Sequence, residues 1–285
     1  MILRILLALA ALLSSLGHPT AFALPAAASV PGGIARVPLA TVLDSPDPPR
    51  AWLGEQPVWV TADNGHWMAI VGIPLDTRPG SLTLRYRLNA EEHGARFDVV
   101  EKKYAEQHIR LKDSGKVTLS PDDEKRALAE IERIQALKKH WRASGDTPED
   151  FVLPAQGRLA SRFGLRRFFN GEARAPHSGL DIAAPRGAPI VTAAAGQVLA
   201  VDDYFFNGRT VFVDHGHGLL SMYCHLERID VKPGDRLRQG QALGLAGATG
   251  RASGPHLHWS VVLNGTMVDP ELFLGRSPVQ KTARR

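Results

Sequence analysis

The sequence predicts an all-β protein: a small N-terminal β-sandwich, one connecting amphipathic helix, and a larger antiparallel β domain. Three observations carry this. Short apolar runs punctuated by Gly, Pro, Asn and Asp recur along most of the chain, as strands and turns do. Helical periodicity appears once, between Ser120 and Trp141. The 285 residues exceed the usual ~100–200 of one domain.

Taken in order, Arg4 precedes the apolar run Ile5 to Leu13, and Ala21-Phe22-Ala23 supplies a small-x-small site. This is the pattern of a secretory signal peptide, expected over residues 1–23. The run is far shorter than the ~20 apolar residues that cross a bilayer. An exported protein is expected, in the periplasm or cell envelope, with no stable membrane anchor after cleavage. Residues 24–50, rich in Pro and Ala, read as a leader.

Residues 51–119 read as the β-sandwich. Val58-Trp59-Val60, Met68-Ala69-Ile70-Val71 and Leu82 to Leu88 are apolar runs between turns, and Phe97-Asp98-Val99-Val100 and His108-Ile109-Arg110-Leu111 continue the pattern. Leu82, Leu84, Tyr86 and Leu88 alternate strictly, as a half-buried strand does. Residues 120–154 read as a helix and linker. Ser120-Pro121-Asp122-Asp123 is a helix start. Leu128, Ile131, Ile134, Leu137 and Trp141 form one apolar stripe, and Ser144-Gly145-Asp146 is the expected end. Residues 155–275 form the second domain, with Asn207-Gly208 and Asn264-Gly265 as hairpin turns. Residues 276–285 are a basic tail.

A single Cys excludes a disulfide-stapled scaffold and a Cys-rich zinc module. The net charge of +5 favours an anionic partner: nucleic acid, a membrane face or an acidic envelope polymer. No aromatic-basic module supports nucleic acid.

Six of the 11 histidines fall in the second domain. His256 and His258 sit two apart ahead of a strand pattern, which places both imidazoles on one face. His177 and Asp181 are four apart around Gly179, expected to permit a sharp backbone path. Imidazole and carboxylate are ordinary Zn²⁺ ligands, and a catalytic site holds its ion by three protein groups. His215 and His217, in a Gly-rich turn, read as structural, with His217 exposed. Cys224 reads as a small buried thiol facing away from Tyr223 and His225.

Pro176-His177-Ser178-Gly179-Leu180-Asp181, Tyr223-Cys224-His225-Leu226 and Gly254-Pro255-His256-Leu257-His258 resemble, in order and spacing, the three motifs of the lysostaphin/LytM-type zinc metallopeptidases. The resemblance spans roughly Leu153 to Leu274. Ser161-Arg162-Phe163-Gly164 and Val213-Asp214-His215-Gly216 resemble accessory elements of that domain. More loosely, the upstream strands and helix look like the segment preceding the peptidase in exported proteobacterial members.

The resemblance implies one zinc ion per chain on His177, Asp181 and His258, with His225 and His256 as catalytic histidines. Which of these two is the base stays open. It implies an exported endopeptidase cutting peptidoglycan peptide cross-links. Members of the family cut either glycine bridges or direct D-alanyl–diaminopimelate cross-links, and the proteobacterial look of the N-terminal part points to the direct cross-link. The alternative is a non-catalytic envelope module that binds peptidoglycan or activates a partner hydrolase.

Overall fold

The computed structural model describes residues 24–110, 119–145 and 147–275. The expected signal peptide and basic tail lie outside the described residues, as does Asp146. Among the described residues, no helix is long and apolar enough to cross a membrane.

Six strands build the N-terminal half: β1 (Ile34–Thr41), β2 (Arg50–Leu53), β3 (Gln56–Asp63), β4 (His66–Gly72), β5 (Gly80–Leu88) and β6 (Glu91–Val99). They form one antiparallel sheet in the order β1-β4-β3-β2-β5-β6. The sheet folds over until its two ends, β1 and β6, touch. Ala35, Val37, Ala69, Val71, Leu84 and Val99 fill the interior. In β5 the strict alternation holds: Leu84 is buried while Thr83 and Arg85 are exposed.

The stretch expected as a leader contains β1. Its Pro38 obscures the strand pattern; β1 lies at the sheet edge and shifts register between Pro38 and Ala40, where a missing N–H is tolerated. The apolar run of β4 also has a reason. Ala69 and Val71 face the sandwich interior, whereas Ile70 joins Ile34 and Trp59 in the core of the second domain. A strand buried on both faces has no polar positions to alternate with.

Strand β7 (Glu106–Ile109) leaves the sandwich it was expected to join. It pairs in parallel with β9 (Arg166–Phe169) of the second domain, and β9 pairs with β10 (Glu172–Ala173). Between them in sequence lies α1 (Pro121–Lys138). Its cap is as expected, with the Ser120 hydroxyl accepting from the Asp123 N–H at 3.2 Å. The helix ends at Lys138, before the expected Ser144 stop.

Its buried register also differs from the expected stripe. Ala127 is buried, while Leu128 and Ile131 are 57% and 42% exposed. Polar clamps set this rotation against β13 (Gly196–Tyr204) and the residue that follows it. Arg133 pairs with Asp202 at 2.6 Å and Arg126 donates to the Asp203 carbonyl at 3.0 Å. Glu130 takes the Phe205 N–H.

The second domain adds β8 (Leu159–Ser161), β11 (Leu180–Ile182), β12 (Pro189–Val191), β14 (Gly208–Gly216), β15 (Leu219–Cys224), β16 (Leu226–Ile229), β17 (Arg236–Leu237), β18 (Ala242–Ala246), β19 (Leu257–Leu263) and β20 (Thr266–Val268). The main sheet has eight strands in the order β17-β13-β14-β15-β19-β11-β8, with β20 paired to β19. A three-stranded sheet, β12-β18-β16, lies beside it. One face of the main sheet carries the large core around Leu180, Tyr223 and Trp259; on the other, Met222, Cys224, Phe212 and Tyr204 pack against Ile134 and Leu137 of α1.

Asn264-Gly265 makes the expected two-residue turn, with Leu263 opposite Thr266. Asn264 also pins the two halves together: its Oδ1 accepts from the Gly72 N–H at 2.6 Å and its Nδ2 donates to the Gly72 carbonyl at 3.1 Å. The turn at Asn207-Gly208 differs from expectation. Tyr204 pairs with Gly208, so the loop is Phe205 to Asn207, and Gly208 opens β14 at φ +59°. A Cβ there would stand 2.3 Å from the Thr249 backbone, so only glycine fits.

Candidate functional site

The main sheet brings three motifs together by register. On β11 and β19, Asp181 lies directly opposite His258; on β15, Cys224 lies opposite His258 from the other side. Side chains of facing residues in an antiparallel pair project on one face. His177 reaches the same point from the loop before β11, held by backbone bonds from its N–H to the Leu165 carbonyl and from the Gly164 N–H to its own carbonyl.

His177 Nε2 stands 2.9 Å from Asp181 Oδ1 and 3.0 Å from His258 Nδ1, and His258 Nδ1 stands 2.9 Å from Asp181 Oδ1. The three side chains are 7%, 14% and 14% exposed. His177 Nδ1 lies 2.9 Å from the Arg162 carbonyl, which only an N–H can satisfy, so its Nε2 presents a lone pair. His258 Nε2 lies 2.9 Å from the Ser260 hydroxyl, leaving Nδ1 to face inward. Burial lowers the His258 pKa and favours neutral imidazole. The Asp181 carboxylate, 2.9 Å from both ring nitrogens, completes the triangle.

With both rings neutral, three electron-pair donors converge on one point, an arrangement that fits a cation at its centre. Ligand atoms about 2.1 Å from a tetrahedral Zn²⁺ stand about 3.4 Å apart, close to the observed triangle. His177, Asp181 and His258 form the candidate metal group among the described residues.

His225 and His256 flank this triangle, their rings 4.7 Å apart. Each has Nδ1 against a backbone carbonyl, His225 at 2.8 Å from Thr249 and His256 at 2.8 Å from Gly254. Neutral rings so held carry their lone pairs on Nε2. His256 Nε2 lies 3.7 Å from Asp181 Oδ1. Burial pushes the His225 pKa down to about 4, so this imidazole is neutral at ordinary pH.

Several residues depart from the sequence expectations. Gly179 has no positive φ; it is needed for close approach, since a Cβ there would stand 2.4 Å from the Trp259 carbonyl and 3.0 Å from the His258 ring. Cys224 is fully buried, as expected, and burial pushes its thiol up to about 12. It does not face away from the site, because His225 adopts φ +62° and breaks the alternation on which that reading relied. His215 is buried, between the Ala195 carbonyl and the Ser221 hydroxyl, each at 2.7 Å. His217 is half-buried, with the Trp141 ring edge against it and Thr147 Oγ1 2.8 Å from its Nδ1.

Residues that sequence reasoning missed are the orienting partners: Ser260, and the carbonyls of Arg162, Thr249 and Gly254. Backbone carbonyls leave no residue-type signal. Ser260 had one, two places beyond His258 on a strand.

The profile of Peptidase family M23 matches residues 175–270, and that of the Peptidase family M23 N-terminal domain matches residues 27–102. A crystal structure of a Pseudomonas aeruginosa protein assigned to peptidase M23 is 42% identical, with a TM-score of 0.73, covering 87% of this chain and 96% of that one. The chain belongs to peptidase family M23. The N-terminal profile begins at residue 27, inside the stretch expected as a leader. Two Vibrio cholerae proteins are also similar. Peptidoglycan DD-endopeptidase ShyA is 37% identical over 120 residues, 42% of this chain and 28% of that protein. Peptidoglycan DD-endopeptidase ShyB is 34% identical over 183 residues, 62% of this chain and 42% of that protein. The M23 chain thus spans less than half the length of these curated relatives.

Proposed function

We propose that this chain is an exported zinc endopeptidase that hydrolyses peptide cross-links of peptidoglycan, cutting the D-alanyl–diaminopimelate bond during cell-wall remodelling. The observation that carries the reading is the convergence of His177, Asp181 and His258 within 3.0 Å of one another, beside two imidazoles with fixed tautomers. The DD-endopeptidase relatives support the substrate and an extracytoplasmic location. The basic charge suits an acidic envelope.

In this reading His177, Asp181 and His258 hold one zinc ion per chain. Bound there, zinc supplies Lewis acidity, acidifying a water and polarising the scissile carbonyl. His225 and His256 are the catalytic residues. With Nδ1 committed to a carbonyl, each offers Nε2 as a proton acceptor. One accepts the proton of the attacking water and returns it to the leaving amine; the other, when protonated at Nε2, donates to the carbonyl oxygen as charge develops. The low pKa of His225 keeps Nε2 unprotonated before the reaction.

The test is incubation of zinc-replete protein with peptidoglycan sacculi, with and without chelator, and mass spectrometry of the released muropeptides. Loss of D-alanyl–diaminopimelate cross-links only in the absence of chelator is expected. No cleavage under zinc-replete conditions would overturn the reading in favour of a non-catalytic envelope module. His177→Ala and Asp181→Ala should lose zinc and activity together, whereas His225→Ala and His256→Ala should lose activity with zinc retained.

A further inference from the structure

A cavity of about 390 Å³ opens between α1 and the site face of the main sheet. That volume lies within the ~300–1,000 Å³ range of small-ligand sites. His258 and Ser178 belong to its lining, and Ile134, Met222 and Met267 supply apolar wall. Glu130 and Lys138, both from α1, are the charged residues of its lining. Glu130 is already committed, to Arg126 at 2.7 Å and to the Phe205 N–H. Lys138 is half-buried, and its ammonium has no ion-pair or hydrogen-bond partner among the described residues. A desolvated ammonium without a counter-charge is costly unless an anion joins it.

We propose that Lys138 is a specificity-determining residue, binding a carboxylate at the end of an aliphatic substrate side chain laid along this cavity beside the metal triangle. The inference rests on the peptidase reading above. The chemistry of the lining selects the ligand. Ile134, Met222 and Met267 suit a methylene chain, and one uncompensated cation suits one terminal carboxylate. A diaminopimelate residue flanking the cut bond has that shape and charge. The cation also sits in the last turn of α1, where the helix dipole favours it.

The test uses the full zinc-loaded chain and cross-linked peptide dimers whose diaminopimelate carboxylate at the cut bond is either free or amidated. Wild type should show a kcat/KM at least about tenfold higher on the free acid, the difference lying in KM, as a charge-assisted hydrogen bond supplies. Lys138→Gln should abolish that preference with bound zinc unchanged, and Lys138→Arg should restore it. A preference that survives in Lys138→Gln overturns the inference. So does equal wild-type cleavage of the two substrates. If wild type cleaves neither, the peptidase reading falls; calorimetric binding of the corresponding uncross-linked peptides then decides Lys138 separately. A tenfold wild-type advantage for the free acid, lost in Lys138→Gln, supports it, and equal binding overturns it.

Discussion

Replacing Ser260 by alanine tests how the chain orients His258, one of the three residues proposed to hold zinc. Ser260 is fully buried, and its hydroxyl lies 2.9 Å from His258 Nε2. With zinc on Nδ1, the ring proton sits on Nε2 and is donated to this hydroxyl; removing the hydroxyl then leaves a buried N–H without a partner, a cost of about 1–3 kcal/mol. The ring can escape that cost only by moving its proton to Nδ1, which removes the lone pair facing His177 and Asp181. Either route weakens a bound cation. At ~1.4 kcal/mol per tenfold, the penalty corresponds to roughly 10–100-fold in zinc affinity, the usual range for an orienting partner. Competition titration against a chromophoric chelator measures it directly. Metal-free melting of the variant and wild type separates the affinity change from unfolding. Ser260→Thr keeps a hydroxyl and should recover most of the affinity. Zinc affinity within twofold of wild type in Ser260→Ala would refute the reasoning.

Three further outcomes are expected. Gly179→Ala drives a methyl against the Trp259 carbonyl and the His258 ring; zinc stoichiometry by atomic absorption should fall well below that of wild type. Asn264→Ala removes both bonds to Gly72 and leaves two buried backbone groups unpaired, costing about 2–4 kcal/mol; urea unfolding should show a lower midpoint, or a separate transition for the N-terminal half. Burial depresses the His215 pKa from 6.5 to about 4. The unfolded state then binds more protons between those values, so the stability contributed by neutral His215 is full above pH 6.5 and is lost as pH falls towards 4. The loss is of order 3 kcal/mol. The difference in unfolding midpoint between pH 7.5 and 4.5 should shrink in His215→Gln; an unchanged difference would count against it.

The clustering of His177, Asp181, His256 and His258 was legible in the sequence because motif and geometry share a cause. The period-two spacing of His256 and His258 and the short reach from His177 to Asp181 gather these side chains over one face of the main sheet, with His177 and His256 just outside its strands. Alternation likewise disclosed β5, and the Ser120 cap disclosed the start of α1. What stayed hidden depends on partners distant in sequence. β1 was masked by Pro38, tolerated because the strand is an edge. The rotation of α1 depends on Asp202, Asp203 and Phe205, which its own periodicity does not encode. The need for Gly179 lies in the approach of β19, and the direction of Cys224 in the left-handed backbone of His225.

The parallel pairing of β7 with β9 makes the boundary between the two halves a poor place to cut. A peptidase fragment begun after the sandwich would carry β9 stripped of a neighbour, with unpaired backbone groups that invite association with other chains. A fragment begun at the start of the profile match, residue 175, would lose β9 and α1 as well, and with α1 one side of the cavity beside His258. Transplanting this catalytic unit into another scaffold therefore requires the stretch from residue 106 onward, so the smallest portable piece is larger than the motif-bearing region.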